Sequence, residues 1–280
     1  MVLTHDKIKK IEELVFERPR SVSELSHCLE VSRKTCNRYL ENITDLSPKL
    51  KTHFFKSGIR GGLKVIYWKN IFTSPVSKQQ GLIQGQILSA KTKEEFSPFD
   101  IYQYAATEQR KAFWDDKTSS SIYEYGTENI NKFLTSAKYE YLSFSGDFSW
   151  TLQKDKGPLL ALKTLEKMAL KGVSIKIIGR VEFNNIDNVE QLLSINKKIG
   201  KEAISIRHVN QPLRGAIIDD DFVRLTETFK FSENKKRFVF YEIKDSEWVK
   251  FLKSIFWDIY NKGIPAEKRL KDLRTFSKRK

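Results

Sequence analysis

A short polar and basic stretch near the amino terminus carries the side chains best suited to recognise another molecule. Its members are Ser32, Arg33, Lys34, Thr35, Asn37 and Arg38. Arginine and asparagine form paired hydrogen bonds with the major-groove edges of guanine and adenine, whereas serine, threonine and lysine bind phosphate oxygens. The concentration of these residue types in one stretch predicts a surface that contacts duplex DNA.

Three predicted helices position this stretch, because apolar residues recur there at helical spacing. The predicted helices span residues 7–17, 21–30 and 33–43. Pro19 ends the first helix, Ser21 and Glu24 form a capping box in the second, and Ser32 begins the third. Two helices joined by a tight turn, the second with a polar and basic first turn, are typical of a helix-turn-helix.

A predicted β-hairpin follows the third helix. Residues 52–56 and 63–68 alternate as strands, and the segment between them is rich in glycine. A hairpin in this position is a wing, so residues 1–70 are predicted to form one winged helix-turn-helix domain. The cations of the wing that would reach phosphate or the minor groove are Lys56, Arg60 and Lys64. The alternative is a winged helix that contacts only protein, which would need fewer exposed cations.

The distribution of charge supports a polyanionic partner. The chain has 280 residues and a formal net charge of +15, and a basic balance of this size favours nucleic acid. Residues 1–70 carry a net charge of +6, and residues 266–280 carry +5. The basic tail at 266–280 is therefore expected either to add phosphate contacts or to be a solvated, disordered terminus.

Residues 71–127 form a predicted connector with a net charge of −1. A proline and several short polar residues predict a linker over 70–78, and helices are predicted for 79–90 and 101–114. Residues 116–121 are polar and predict a loop. The connector is expected either to make dimer contacts or to pack against the second domain.

The second domain, residues 128–265, alternates between helical and strand-like segments. The predicted helices span residues 128–137, 158–171, 189–199 and 246–260. The predicted strands span residues 139–144, 173–178, 203–209, 215–219, 222–225 and 237–243. Such alternation predicts a layered α/β domain with a mainly parallel sheet, and hence a multi-domain α/β protein.

One segment of the second domain points beyond its fold class. Residues 212–219 occupy the frame of the phospholipase D motif, His-x-Lys-x-x-x-x-Asp, and residues 128–262 resemble one phospholipase D-like unit. Arg214 replaces the lysine and keeps its positive charge, and Asp219 matches the aspartate. Pro212 stands where the family has its nucleophilic histidine, and proline neither attacks phosphorus nor transfers a proton. The resemblance therefore implies no catalytic residues and no enzyme.

A winged helix joined to a phospholipase D-like domain without its nucleophile resembles archaeal regulators of the TrmB type. The resemblance implies a transcription regulator that binds double-stranded DNA as a homodimer, with a second domain that dimerises or senses an effector. A small anionic effector would then bind near Arg214, with Asp219, Ser145 and His208 as further candidates.

Two other functions stay open on the sequence. One is a phospholipase D-type nuclease targeted by its winged helix, in which His208 would replace the missing histidine after remodelling of its loop. The simpler interpretation of His208 is a hydrogen-bonded side chain at a strand end. The other function is a non-specific architectural or repair-associated DNA-binding protein.

Composition argues against several further classes. Cys28 and Cys36 form no zinc or disulfide pattern, and the acidic run 219–221 lacks another ligand at fixed spacing, so neither metal nor cofactor is predicted. The apolar runs are too short to span a bilayer, and the amino terminus lacks the order of a signal peptide. A cytoplasmic protein without membrane contacts is the expectation.

Overall fold

The computed structural model describes residues 3–47, 49–56, 62–68, 76–115, 132–151, 160–232 and 235–277. These residues form an amino-terminal helix-turn-helix with a small sheet and a larger layered α/β unit, which confirms the predicted multi-domain α/β class. The turn of the wing with Arg60, most of the linker predicted at 70–78, and the loop predicted at 116–121 lie outside the described residues.

The three predicted amino-terminal helices are present. They are α1 (His5–Glu17), α2 (Val22–Cys28) and α3 (Arg33–Leu46). Ile11, Leu25, Cys36 and Leu40 from these helices are at most 1% exposed and form one hydrophobic core. Cys36 is thus a core residue, and burial raises the pKa of its thiol to about 11.

The wing is part of a small antiparallel sheet. Its strands are β1 (Arg20–Ser21), β2 (Leu50–Lys56) and β3 (Gly62–Trp68), in the order β1-β3-β2. Side chains alternate between the two faces of a strand. Leu50 and Ile66 face the core of the helices, whereas Phe55, Leu63 and Val65 belong to a second core that the larger unit supplies.

The connector contributes to this second core. Its elements are α4 (Val76–Ser89), α5 (Phe99–Tyr102) and β4 (Arg110–Asp115). The prediction of a helix over residues 101–114 is wrong. Helix α5 ends at Tyr102, and residues 110–115 form a strand that pairs with an apolar strand. Trp114 is buried in that pairing, so tertiary contacts override a local pattern that is compatible with a helix.

A mixed sheet of eight described strands forms the centre of the larger unit. Besides β4 it contains β5 (Glu140–Phe144), β6 (Ser174–Gly179), β7 (Ile204–His208), β8 (Gly215–Ile218), β9 (Phe222–Ser232), β10 (Lys235–Ile243) and β11 (Ile264–Pro265). The strand order is β11-β7-β6-β5-β8-β9-β10-β4.

The prediction of a mainly parallel sheet is wrong. Among the described strands β5, β6 and β7 pair in parallel, and the other neighbours pair antiparallel. The connections between strands explain this difference. Helix α6 (Leu160–Leu170) lies between β5 and β6 in the chain and α7 (Ile186–Ile199) lies between β6 and β7, and helical crossovers of this kind allow parallel pairing. β8 and β9 are joined by a short turn, which gives an antiparallel pair.

Helices cover both faces of the large sheet. The last two are α8 (Ser246–Lys262) and α9 (Ala266–Ser277). α8 packs with the connector on the face that also receives the wing, and its Trp248 is a core residue. α6, α7 and α9 cover the other face.

The basic tail is a helix, so the prediction of a disordered terminus is wrong for residues 266–277. Ala266, Leu270 and Leu273 of α9 are at most 6% exposed and pack in the core of the large sheet. Their spacing of four and three residues is the pattern of an amphipathic helix, which the charge of the segment conceals.

Two kinds of contact join the winged helix to the large sheet. The indole Nε1 of Trp114 donates a hydrogen bond of 3.1 Å to the backbone carbonyl of Phe55, and both side chains are buried. Around this bond the rings of Phe55, Phe99 and Tyr241 lie with their centroids 6.0–6.3 Å apart. The wing therefore rests on the sheet through a packed aromatic cluster.

A buried carboxyl group lies next to this cluster. Glu227 on β9 accepts a hydrogen bond of 2.9 Å from the Tyr241 hydroxyl. Burial raises the pKa of Glu227 to about 8, and the same cause raises the pKa of Asp100 to about 7. The folded protein thus holds protons on both groups at pH values at which an unfolded chain has released them.

The pH dependence of stability is expected to change in Glu227→Gln. The ordinary pKa of a glutamate is 4.5, and that of Glu227 is about 8 in the folded state. Between these two pH values the folded protein binds more protons than the unfolded chain does, so stability is lost as the pH rises through that window. The neutral glutamine removes this contribution, and the melting temperature should fall less from pH about 5.5 to about 8.5 than in the wild type. An equal fall in both proteins would contradict the assignment, and Glu108→Gln, at an exposed position, is the control.

Candidate nucleic-acid interface

The start of α3 is fixed by Ser32. Its hydroxyl accepts a hydrogen bond of 3.1 Å from the Thr35 backbone N–H and lies 2.9 Å from the Thr35 hydroxyl. Because Cys36, Leu40 and Ile43 turn inward, the opposite side of the helix is presented to solvent. Ser32 and Thr35 therefore serve the cap, and their neighbours form the outer surface.

The structure brings the predicted recognition residues together on that outer surface. Arg33, Lys34, Asn37 and Arg38 are all exposed. With Thr35 and Glu41 they line an open groove of about 640 Å³ along the first turns of α3. Positions 33, 37 and 41 succeed one another at helical spacing, so the face is continuous. Glu41 is a member of this face that the sequence analysis did not single out.

The turn between α2 and α3 holds the two helices at a fixed angle. Glu30 has a φ of 55°, a left-handed conformation that glycine adopts more readily. The Val31 backbone N–H donates to the Ser26 carbonyl at 3.0 Å, which closes the turn. A tight turn between two packed helices is the arrangement of a helix-turn-helix.

The wing places one described cation beside α3. Lys64 on β3 is half-buried, and its charge lowers the pKa of Cys36 in the first turn of α3, against the larger effect of burial. Lys64 thus adds a positive charge near the first turn of α3. Lys56 ends β2, but its side chain and all of Arg60 lie outside the described residues.

The second group of predicted site residues lies far along the chain, at the carboxyl ends of β5, β6 and β7. Ser145 is buried, its hydroxyl accepts from Trp150 Nε1 at 3.0 Å, and its carbonyl accepts from Gln211 Nε2 at 2.8 Å. In sheets of this kind, the edge where parallel strands end is the usual place for a ligand.

Arg214 lies at this edge and is held by its own loop. Its Nη1 donates to the carbonyls of Leu213 at 2.7 Å and Gln211 at 3.2 Å. Its side chain also lies against Gly146, where a Cβ atom would be 2.6 Å from Nε. Burial, and then the charge of Arg180, lower the pKa of Arg214.

Arg180 is a site residue that the sequence analysis missed. It is the first residue after β6, and its Nε is buried without a hydrogen-bond partner. Its backbone N–H donates to the Gly146 carbonyl at 2.8 Å. The position directly after a parallel strand was the signal that could have identified it.

His208 is a hydrogen-bonded residue at the end of β7, in agreement with the simpler of its two interpretations. Its Nδ1 accepts a hydrogen bond of 2.9 Å from the Val181 backbone N–H. This bond assigns the ring proton to Nε2. Burial, and then the charge of Arg269, lower the pKa of His208 and favour its neutral form.

The grouping of Asp219 with Arg214 is wrong. Asp219 follows the other end of β8, five residues or roughly 16 Å further along an extended strand. Its carboxylate accepts hydrogen bonds of 3.0–3.1 Å from the backbone N–H groups of Lys138, Tyr139 and Glu140. Asp219 therefore fixes the start of β5.

Neither a candidate metal site nor a candidate membrane span is found in the described part of the chain. No three His, Cys, Asp or Glu side chains are grouped there in a way that would hold a metal ion. No helix there has the length and apolar character needed to cross a bilayer.

Comparison with known proteins gives low similarity throughout. No family model and no curated protein sequence matches the chain. Among solved structures it is similar to TrmBL2, an archaeal chromatin protein, with 15% identity, a TM-score of 0.39 and coverage of 94% of each chain. It is similar to NucT from Helicobacter pylori, with 16% identity, a TM-score of 0.39 and coverage of 56% of this chain and 99% of that one.

A phosphatidylserine synthase from Haemophilus influenzae is also similar, with 9% identity and a TM-score of 0.38. That likeness covers 60% of this chain and 45% of the other. TM-scores of this size do not assign a function to the chain.

The structural role of Asp219 gives a stability prediction. Asp219→Ala leaves three backbone N–H groups without their acceptor, so it should lower the free energy of unfolding by about 2–4 kcal/mol in urea denaturation. Asp221→Ala changes an exposed carboxylate of the same turn and should have little effect. Equal effects of the two substitutions would contradict the role of Asp219.

Proposed function

We propose that this protein is a regulator that binds duplex DNA through α3 and the wing. The observation that carries the proposal is the continuous exposed face of Arg33, Lys34, Asn37 and Arg38 on a capped helix. These side chains match the major-groove edges of guanine and adenine and the phosphates of the flanking backbone. Lys64 on β3 adds a cation of the wing near the first turn of α3.

Sequence-specific regulation is the finer part of the proposal. One recognition helix contacts few base pairs, so helix-turn-helix regulators commonly bind two half-sites as symmetric dimers. The outer side of α4 supports a homodimer, because Leu82 and Leu88 are 60% and 41% exposed there. Its inner side, with Ile83 and Ile87, packs into the core, so the connector also contacts the larger unit.

We propose further that the larger unit does not hydrolyse phosphodiesters. Pro212 occupies the position of the nucleophile in the motif, and proline has no group that attacks phosphorus. His208 is the nearest substitute in sequence, but its Nδ1 is engaged with the Val181 backbone. These observations favour a binding role over a nuclease.

An anionic effector site at the edge of the parallel strands is the second proposal for this unit. Arg180 and Arg214 are close enough for the charge of one to lower the pKa of the other. Two neighbouring guanidinium groups repel each other, and a bound phosphate would relieve the repulsion and satisfy Arg180 Nε. Asp147 is close enough for its charge to raise the pKa of Arg214. This negative charge opposes the binding of an anion there.

The recognition surface gives the central prediction on binding. Arg33→Ala and Arg38→Ala should each weaken binding to a selected operator by about 1–3 kcal/mol and relax its base preference, if these residues read bases. Affinity is measured by fluorescence anisotropy at fixed salt, on operators selected from a random duplex library.

The control is Lys163→Ala, which removes an exposed cation on α6, a helix that packs on the face of the large sheet opposite to the wing. Operator affinity unchanged in both arginine variants would contradict the assignment. Failure of the library to yield a preferred sequence, with equal affinity for all duplexes, would favour the non-specific architectural protein instead.

Phosphate binding tests the effector site. In isothermal titration with inorganic phosphate, the wild type should bind, and Arg214→Ala should bind at least about tenfold more weakly. Arg274→Ala removes an arginine that pairs with Glu190 on another surface and should leave the titration unchanged. A wild type without measurable heat, or equal binding by Arg214→Ala, would contradict the proposal.

A further inference from the structure

The wing exposes an aromatic side chain that the protein core does not use. Phe54 on β2 is 53% exposed, although its neighbour Phe55 is buried. The ring of Phe54 lies over the backbone of Gly62 on β3, where a Cβ atom would overlap it. One side of the ring is therefore held against the sheet while the rest is open to solvent.

The position of Phe54 follows from the register of the wing. Its cross-strand partner is Lys64, whose charge acts on Cys36 in the first turn of α3. Phe54 also shares a strand face with Leu50, which packs against the helices. The exposed ring thus lies beside Lys64, on the side of the sheet that packs against the helices.

The surroundings of the ring indicate what would cover it. Its cross-strand partner Lys64 is cationic, and three cations, Arg33, Lys34 and Arg38, lie on the exposed face of α3, so an acidic partner is favoured. Duplex DNA offers apolar deoxyribose rings between its phosphates, and contacts to this sugar-phosphate backbone position a protein on the duplex.

We infer that Phe54 packs against the deoxyribose rings of bound duplex DNA. This would be an uncharged contact with the DNA, additional to those of α3 and of the cations of the wing. The inference rests on the proposed DNA binding. Deoxyribose is the same in all DNA sequences, so the contact strengthens binding without selecting bases. The neighbouring cations bind the flanking phosphates and hold the sugar against the ring.

The test compares Phe54→Ala and Lys64→Ala in the full chain, with a fluorescent mixed-sequence duplex as the probe and anisotropy measured over a salt series. Phe54→Ala should bind about five- to tenfold more weakly at every salt concentration, because apolar contact is lost. The dependence of log affinity on log salt should keep its slope, since no cation is removed. Lys64→Ala should make that slope shallower by about 0.9 if the lysine binds one phosphate.

The matched control is Phe16→Ala. Phe16 is 71% exposed and packs on Trp68, at the end of β3 remote from Gly62. This variant should bind DNA as the wild type does. Should Phe54→Ala melt below the assay temperature, Phe54→Leu keeps an apolar side chain on Gly62 and should give a smaller loss with an unchanged slope.

The outcomes separate the inference from the proposed function. A wild type that does not bind the duplex overturns the proposed function and the inference with it. A wild type that binds with a salt-dependent affinity, while Phe54→Ala stays within about twofold of it, overturns the inference alone. The loss of affinity in Phe54→Ala is also measured on duplexes with uracil in place of thymine. If the loss disappears there, the ring contacts a thymine methyl group, and the sugar contact is overturned.

Discussion

The alternation of side chains along β2 and β3 is the constraint on which the rest of the structure depends. Leu50 and Ile66 face the core of the helix-turn-helix, while Phe55 and Val65 face the core of the large sheet. One small sheet thus serves two cores. A shift of one residue in the pairing of these strands would exchange the two faces and expose both sets of apolar side chains.

This shared sheet fixes the recognition helix relative to the larger unit. The hydrogen bond from Trp114 to the Phe55 carbonyl anchors β2 to β4, the edge strand of the large sheet. α3 packs on the other face of the same small sheet. Any ligand or partner that moves the large sheet would therefore displace the recognition surface as well. A flexible tether between the two units would not transmit such a movement. Burial raises the pKa of Glu227 and of Asp100 in this region, so we expect its stability to change with pH.

Local signals in the sequence predicted the elements whose formation depends on neighbours in the chain. The capping box of Ser21 and Glu24 and the cap at Ser32 identified α2 and α3 because their hydrogen bonds join residues three apart. The order of strands could not be predicted in this way. β4 pairs with β10 more than a hundred residues later, and the antiparallel half of the sheet follows from short connections.

The candidate sites divide along the same line. The recognition residues share one helical face, so spacing alone brought them together. Arg180 and Arg214 meet only because β6 ends and β8 begins at the same edge of the sheet, and Asp219 leaves that group because it follows the far end of β8. A motif frame gives the order of residues along a strand but not the edge at which each lies.

The most direct measurement of the central claim is photo-crosslinking from α3 to DNA. A benzophenone amino acid is placed at Asn37 in the full chain, and the protein is irradiated with a labelled duplex. The same group at Lys163, exposed on α6, provides the comparison. The account predicts a strong crosslink from position 37 that competitor duplex removes, and little from position 163. No crosslink from position 37, or equal yields at the two positions, would contradict it.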